Sequence, residues 1–96
     1  MINLKNEMTD RFFEAVLTLN TVDECYKFFE DVCTIKEIKA FTQRLEVARM
    51  LKNKSLYNDI VSATGASTAT ISRVNRSLTY GSDGYDIVFS RIDEKK

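Results

Sequence analysis

Apolar residues recur at helical spacing along nearly the whole chain, and strict alternation is absent. Met8, Phe12, Val16 and Leu19 fall on one face of a segment spanning about 5–19. Thr21 to Glu24 reads TVDE, a capping box in which a threonine hydroxyl accepts from an amide one turn in while the glutamate reaches back. A second helix follows, with Cys25, Phe28 or Phe29, and Val32 on one side. TIKE, at Thr34 to Glu37, repeats the box and opens a longer helix over about 35–53. Ile38, Phe41, Leu45 and Ala48 are expected to face inward there, and Val47, Met50 and Leu51 widen the apolar face to two sides. Ser55 is expected to cap a short helix over 56–63, with Leu56 and Ile60 one turn apart. Gly65 supplies a residue able to take positive φ, and Ser67 caps a helix over about 68–78. After YGSDG, the segment DIVFSRI suits a helix or a strand, and is read as a last helix over about 83–93 carrying Tyr85, Val88, Phe89 and Ile92. The pattern predicts six helices and no sheet.

Ninety-six residues allow one small domain with a limited core, so dimerisation is a reasonable way to hide more apolar surface. Residues 1–53 are read as dimerisation helices, 55–78 as a helix-turn-helix and 83–93 as the C-terminal helix. No apolar run is long enough for a bilayer and the N-terminus lacks a signal-peptide core, so a cytoplasmic protein without membrane association is expected. Cys25 and Cys33 stand eight apart, which fits neither a zinc nor a redox motif, and both are expected to be buried thiols. Histidine is absent, which removes the commonest general base and metal ligand. No nucleophile–base pair, metal cluster or phosphate-cradling loop is found, so neither an enzyme, a metal site nor a cofactor is expected.

The net charge of zero hides an uneven distribution. Residues 1–37 carry four cations against eight anions, residues 38–80 seven against two, and residues 81–96 three against four. The basic middle is a candidate polyanion surface, and a set of solvated helix faces accounts for the same charges. Its centre is the hairpin GASTATISRVNRSL, Gly65 to Leu78. At 100° per residue, Ile71, Val74 and Leu78 share the face that docks, while Ala69, Ser72, Arg73 and Arg76 lie opposite. Thr68 and Thr70 flank the first turn. Small and hydroxylated residues allow close approach to a groove, and a helix N-terminus attracts phosphate. No acidic residue interrupts the segment. Double-stranded DNA suits this surface; an ordinary packed hairpin remains open on spacing and charge alone. Lys52 and Lys54 are further phosphate candidates from charge and position, although cations in a last turn also answer the helix dipole.

The same hairpin resembles the helix-turn-helix of the Trp repressor family, with its Gly-Ala, Ala-Thr-Ile-Ser-Arg and Ser-Leu series, and TIKEIKAFTQRLEVARML resembles that family's long helix. The register runs without a gap from about Thr34 to Leu78, and the chain looks most like the YerC/YecD group. The resemblance implies an all-α, six-helix fold assembled as an intertwined homodimer, with Phe12, Val16, Phe28, Phe29, Ile38 and Leu45 in a shared core. It implies a repressor placing two copies of helix 68–78 in successive major grooves of a partly palindromic operator. Thr68, Ala69 and Thr70 would approach base edges and Ser72 a phosphate. One departure is plain: the preceding helix reads YNDIVSA, with Asp59 and no cation, where the family carries basic residues. A helical dimer that docks another protein through its acidic N-terminal region is the alternative.

The resemblance also implies a ligand site at Thr34, Arg44, Arg73 and Ser77, able to hold a small carboxylate through the arginine fork. Each also has a plainer role: Thr34 caps a helix, Arg44 can pair with a carboxylate, and Arg73 can touch phosphate. The residue after Arg73 is glycine in the Trp repressor; here Val74 occupies the volume an indole needs. Tryptophan is therefore not the expected effector.

Overall fold

The computed structural model describes residues 4–94, which form six α-helices and no strand. The chain divides into two compact units between Ile38 and Lys39, inside the third helix.

In the first unit, Asn6 takes extended backbone and its Oδ1 accepts from the Thr9 amide at 2.8 Å, starting α1 (Glu7–Val16). The helix stops short of residue 19. The amides of Thr18 and Leu19 turn back to the carbonyls three residues earlier, and the Thr18 hydroxyl also donates to Ala15 at 2.7 Å. Thr21 caps α2 (Val22–Val32), accepting from the Glu24 amide at 3.1 Å. Glu24 reaches back one residue further than a capping box requires, accepting from Asn20 N–H at 2.8 Å. Phe12, Phe28 and Phe29 meet with centroids 5.5–6.4 Å apart, two of the three pairs edge to face. Met8 is 76% exposed and does not join them. Cys25 is exposed and Cys33 half-buried, both as free thiols, which corrects the expectation of two buried cysteines. No described side chain of α1 or α2 is fully buried, and Leu17, Val22 and Tyr26 are largely exposed.

The capping box that opens α3 (Ile35–Lys52) forms in full. Thr34 N–H donates to Glu37 Oε1 at 2.8 Å, and Glu37 N–H donates to Thr34 Oγ1 at 3.1 Å. The backbone hydrogen bond from Thr34, then its side chain, hold the Glu37 carboxyl below its ordinary pKa. The far end closes differently from expectation. Lys54 adopts φ 61°, its amide donates to Leu51 at 3.0 Å, and the Ser55 amide donates to Met50 at 3.0 Å. This is a Schellman closure with a lysine in the left-handed position. Ser55 is thereby committed to the end of α3. The N-cap of α4 (Tyr57–Thr64) is Leu56, with no side-chain hydrogen bond.

The second unit has a small core of Val47, Ala48, Ile60, Ala66, Ile71 and Val74. Met50, Leu51, Leu78, Tyr85 and Phe89 pack around it. On α3 the buried side is that of Val47 and Ala48; Phe41 and Leu45, expected inward, are 49% and 40% exposed. Gly81 ends α5 (Thr68–Tyr80), where a side-chain carbon would run into the Ser77 carbonyl. α6 (Gly84–Glu94) returns along the core through Tyr85 and Phe89, which stack at 6.2 Å. Lys52 Nζ donates to Asp86 at 2.6 Å and lies 5.7 Å from the Phe89 ring centroid, joining the end of α3 to α6.

Candidate nucleic-acid interface

The hairpin is built by local chemistry at its turn. Gly65 takes φ 72° at the end of α4, and its amide donates to Val61 at 2.9 Å. The Thr64 hydroxyl donates to Ile60 at 2.7 Å and accepts from the Ala66 amide at 3.1 Å, so the turn's polar groups are satisfied locally. Ala66 is buried, which pulls the turn onto the core. Ser67 then caps α5, accepting from Thr70 N–H at 3.1 Å.

On α5 the two faces separate as the helical wheel predicts. Ile71 and Val74 are buried and Leu78 is half-buried, while Thr68, Ala69, Ser72, Arg73 and Arg76 are exposed. Thr70 is half-buried, and its oxygen accepts from the Ser67 hydroxyl at 3.1 Å. Among the described residues no ion pair or hydrogen bond engages the Arg73 or Arg76 guanidinium. The exposed face therefore presents two free cations and an uncovered helix start, with no acid on α5.

The two candidate lysines differ. Lys52 is held by Asp86 and Phe89. Lys54 stands exposed in the turn after α3 with no ion-pair partner among the described residues. Asp59 lies exposed in the first turn of α4, with no ion-pair partner among the described residues.

Of the four ligand candidates, one lies in the first unit and three in the second. Thr34 belongs to the first unit, and its hydroxyl caps α3. Arg44 is half-buried with no hydrogen bond or ion pair among the described residues. Ser77 lines an open hollow between the end of α5 and α6, together with Leu45, Gly81, Ser82, Gly84, Tyr85 and Val88. Neither Arg44 nor Arg73 lines that hollow. Val74 is 2% exposed, its side chain wholly taken up by the core. No group of three or more histidine, cysteine or acidic side chains able to hold a metal is found among the described residues.

Two interactions had no local signal in the sequence. Asp86 meets Lys52 across 34 positions. Gln43, which shares the buried side of α3 with Val47, donates from Nε2 to the Thr64 carbonyl at 3.1 Å. A polar residue on an apolar helical stripe is the one sequence feature that could have marked it.

Fold and site together define a helix-turn-helix protein of the all-α class. The Trp repressor protein family model matches residues 7–93. YerC, an uncharacterized protein of Bacillus subtilis (strain 168), is 50% identical over 91 residues, covering 95% of this chain and 88% of YerC. The crystal structure of a TrpR-like protein from Eubacterium eligens ATCC 27750 superposes with a TM-score of 0.91 at 59% identity, over 94% of this chain and 93% of that one. A Staphylococcus aureus structure assigned provisionally to the Trp repressors gives 0.91 at 48% identity, over 94% and 90%. The chain belongs to the Trp repressor family, whose members are DNA-binding transcription regulators rather than enzymes. No helix among the described residues is long and apolar enough to cross a membrane.

Proposed function

We propose that this protein is a cytoplasmic, sequence-specific repressor that binds a palindromic operator as a homodimer, without tryptophan as its effector. The observation that carries the reading is the outer face of α5. Thr68, Ala69 and Thr70 stand at its start, and Ser72, Arg73 and Arg76 follow with no acid among them. In this reading the first three approach base edges and the rest, with Lys54, hold phosphates. Lys52 is paired with Asp86, which ties the end of α3 to α6.

Dimerisation is supported by what one chain leaves uncovered. The first unit buries no described side chain of α1 or α2, and Phe41 and Leu45 of α3 are left 49% and 40% exposed. A second copy supplies the missing apolar cover at about 25 cal/mol per Å². The argument against tryptophan rests on Val74, whose side chain the core already holds. Arg44, half-buried and without a partner among the described residues, keeps a different small carboxylate open as effector, with Thr34, Arg73 and Ser77 as its other candidate partners.

The test is selection of duplexes from a random-sequence pool, followed by titration at several salt concentrations. Arg73, Arg76 and Lys54 from two protomers would neutralise about six phosphates, giving a slope of log K against log salt near −5. Arg73→Ala and Thr70→Ala weaken binding to the selected duplex while the fold is kept. Absence of any enriched sequence at low salt defeats the reading. A second reading, a helical dimer that docks another protein, is favoured by Asp59 and by the lack of any cation on α4. A partner retained from cell extract after nuclease treatment, with no DNA enriched, selects it.

A further inference from the structure

The hydrophobic contacts that seat α5 on α3 are non-directional. Val47, Ile60, Ala66, Ile71 and Val74 resist separation of the helices, but a small slide along the interface changes little buried area. A hydrogen bond is different, because its distance and angle both have narrow optima. One such bond runs from α3 to the hairpin. Gln43 sits on the same side of α3 as the fully buried Val47, half-buried itself. Its Nε2 donates to the Thr64 carbonyl at 3.1 Å. That carbonyl ends α4, where helical carbonyls lose their own amide partners. The next residue is Gly65 in the left-handed conformation, and α5 starts at Thr68. The Thr64 hydroxyl is already tied to Ile60 and to the Ala66 amide, so a pull on Thr64 is passed into the turn.

The geometry points to Gln43 as a positioning residue that sets the register of the Thr64–Ser67 turn against α3 and thereby the placement of the outer face of α5. Its final step rests on the DNA-reading function proposed above. Gln43 faces the core side and touches no nucleic acid; it acts through Thr64.

The experiment compares the full-length protein with Gln43→Met, which keeps side-chain length and packing but has no donor. Gln43→Glu serves as a second variant that sets a carboxylate against the carbonyl. Two readouts are taken. Amide hydrogen exchange at Gly65 and Ala66 is expected to rise about three- to tenfold beyond any change in global stability, the range set by one lost hydrogen bond. The affinity ratio between a duplex selected by the wild type and a shuffled duplex of equal length is expected to fall by a similar factor, with binding to the shuffled duplex unchanged. A purely stabilising role would lower the melting temperature and leave that ratio alone. Unchanged exchange at Gly65 and Ala66 overturns the proposal whatever happens to DNA binding. Faster exchange with an unchanged ratio overturns the link from turn to reading helix. If the wild type prefers no duplex, the DNA reading fails separately, and exchange alone decides whether Gln43 sets the turn.

Discussion

Val74→Ala is the perturbation whose size follows most directly from the structure. Val74 is 2% exposed and belongs to the cluster that joins α5 to Val47 and Ile60. The substitution deletes two methyl groups, at about 0.8 kcal/mol each, and the cavity left behind adds up to about another 1 kcal/mol. Alanine returns roughly 0.5 kcal/mol through its better helix propensity. The net loss is about 2 kcal/mol, which for a domain of this size lowers the melting temperature by roughly 8–16 °C. The assay is thermal or urea unfolding at one fixed protein concentration, because association changes apparent stability. Arg73→Ala, exposed and unpaired, is the control and should move stability by no more than about 0.5 kcal/mol. A loss below about 1 kcal/mol for Val74→Ala would mean that the side chain is not packed as described. The same proteins, melted with millimolar tryptophan, test the ligand argument: wild type shows no shift. A shift in the wild type would remove Val74 as the obstacle.

Three further outcomes follow from the backbone and the caps. Lys54→Gly relieves the left-handed conformation at φ 61° and should stabilise the protein by about 0.5–1 kcal/mol in urea unfolding, while weakening DNA binding and flattening its salt slope. Gly81→Ala forces a carbon against the Ser77 carbonyl and should shorten α5 at its end, seen as lost amide protection at Tyr80 and Gly81 together with a lower melting temperature. The Glu37 carboxyl has its folded pKa below the ordinary value of 4.5. Its contribution is therefore present above pH 4.5 and is lost as the pH falls through the folded value, a dependence that Glu37→Gln should remove from the stability–pH profile.

What could be read ahead of the structure was chemistry confined to a few neighbouring residues. TIKE forms its reciprocal cap, Gly65 takes positive φ, and Ser67 starts α5, because each interaction spans three or four positions. The buried and exposed faces of α5 were legible because only one side of that helix is apolar. α3 defeated the same reasoning. It is apolar on two sides, and periodicity alone does not say which side the chain itself covers; Ala48 is buried as expected and Val47 beside it, while Phe41 and Leu45 of the expected face stay partly exposed. Ser55 was misread because a serine before an apolar residue signals a cap, whereas here it closes the helix behind it. Lys52 with Asp86 and Gln43 with Thr64 are pairings across tens of residues, which no local pattern encodes. The cysteines were assigned by residue type, which describes an average thiol rather than the exposed Cys25 on α2 or the half-buried Cys33 at its C-cap.

Asp59 has a consequence on the scale of a genome. A regulator spends most of its time among millions of wrong sites, and the hold of those sites is almost wholly electrostatic. In the DNA-binding function proposed above, a carboxylate in the first turn of α4, with no cation on that helix, would weaken every such encounter alike, right and wrong. In the proposed dimer it would do so twice. Equal weakening leaves the preference of the proposed regulator for its operator unchanged and lowers its total hold on DNA. More copies would then stay off the chromosome at a given salt concentration, and exchange between sites would be faster.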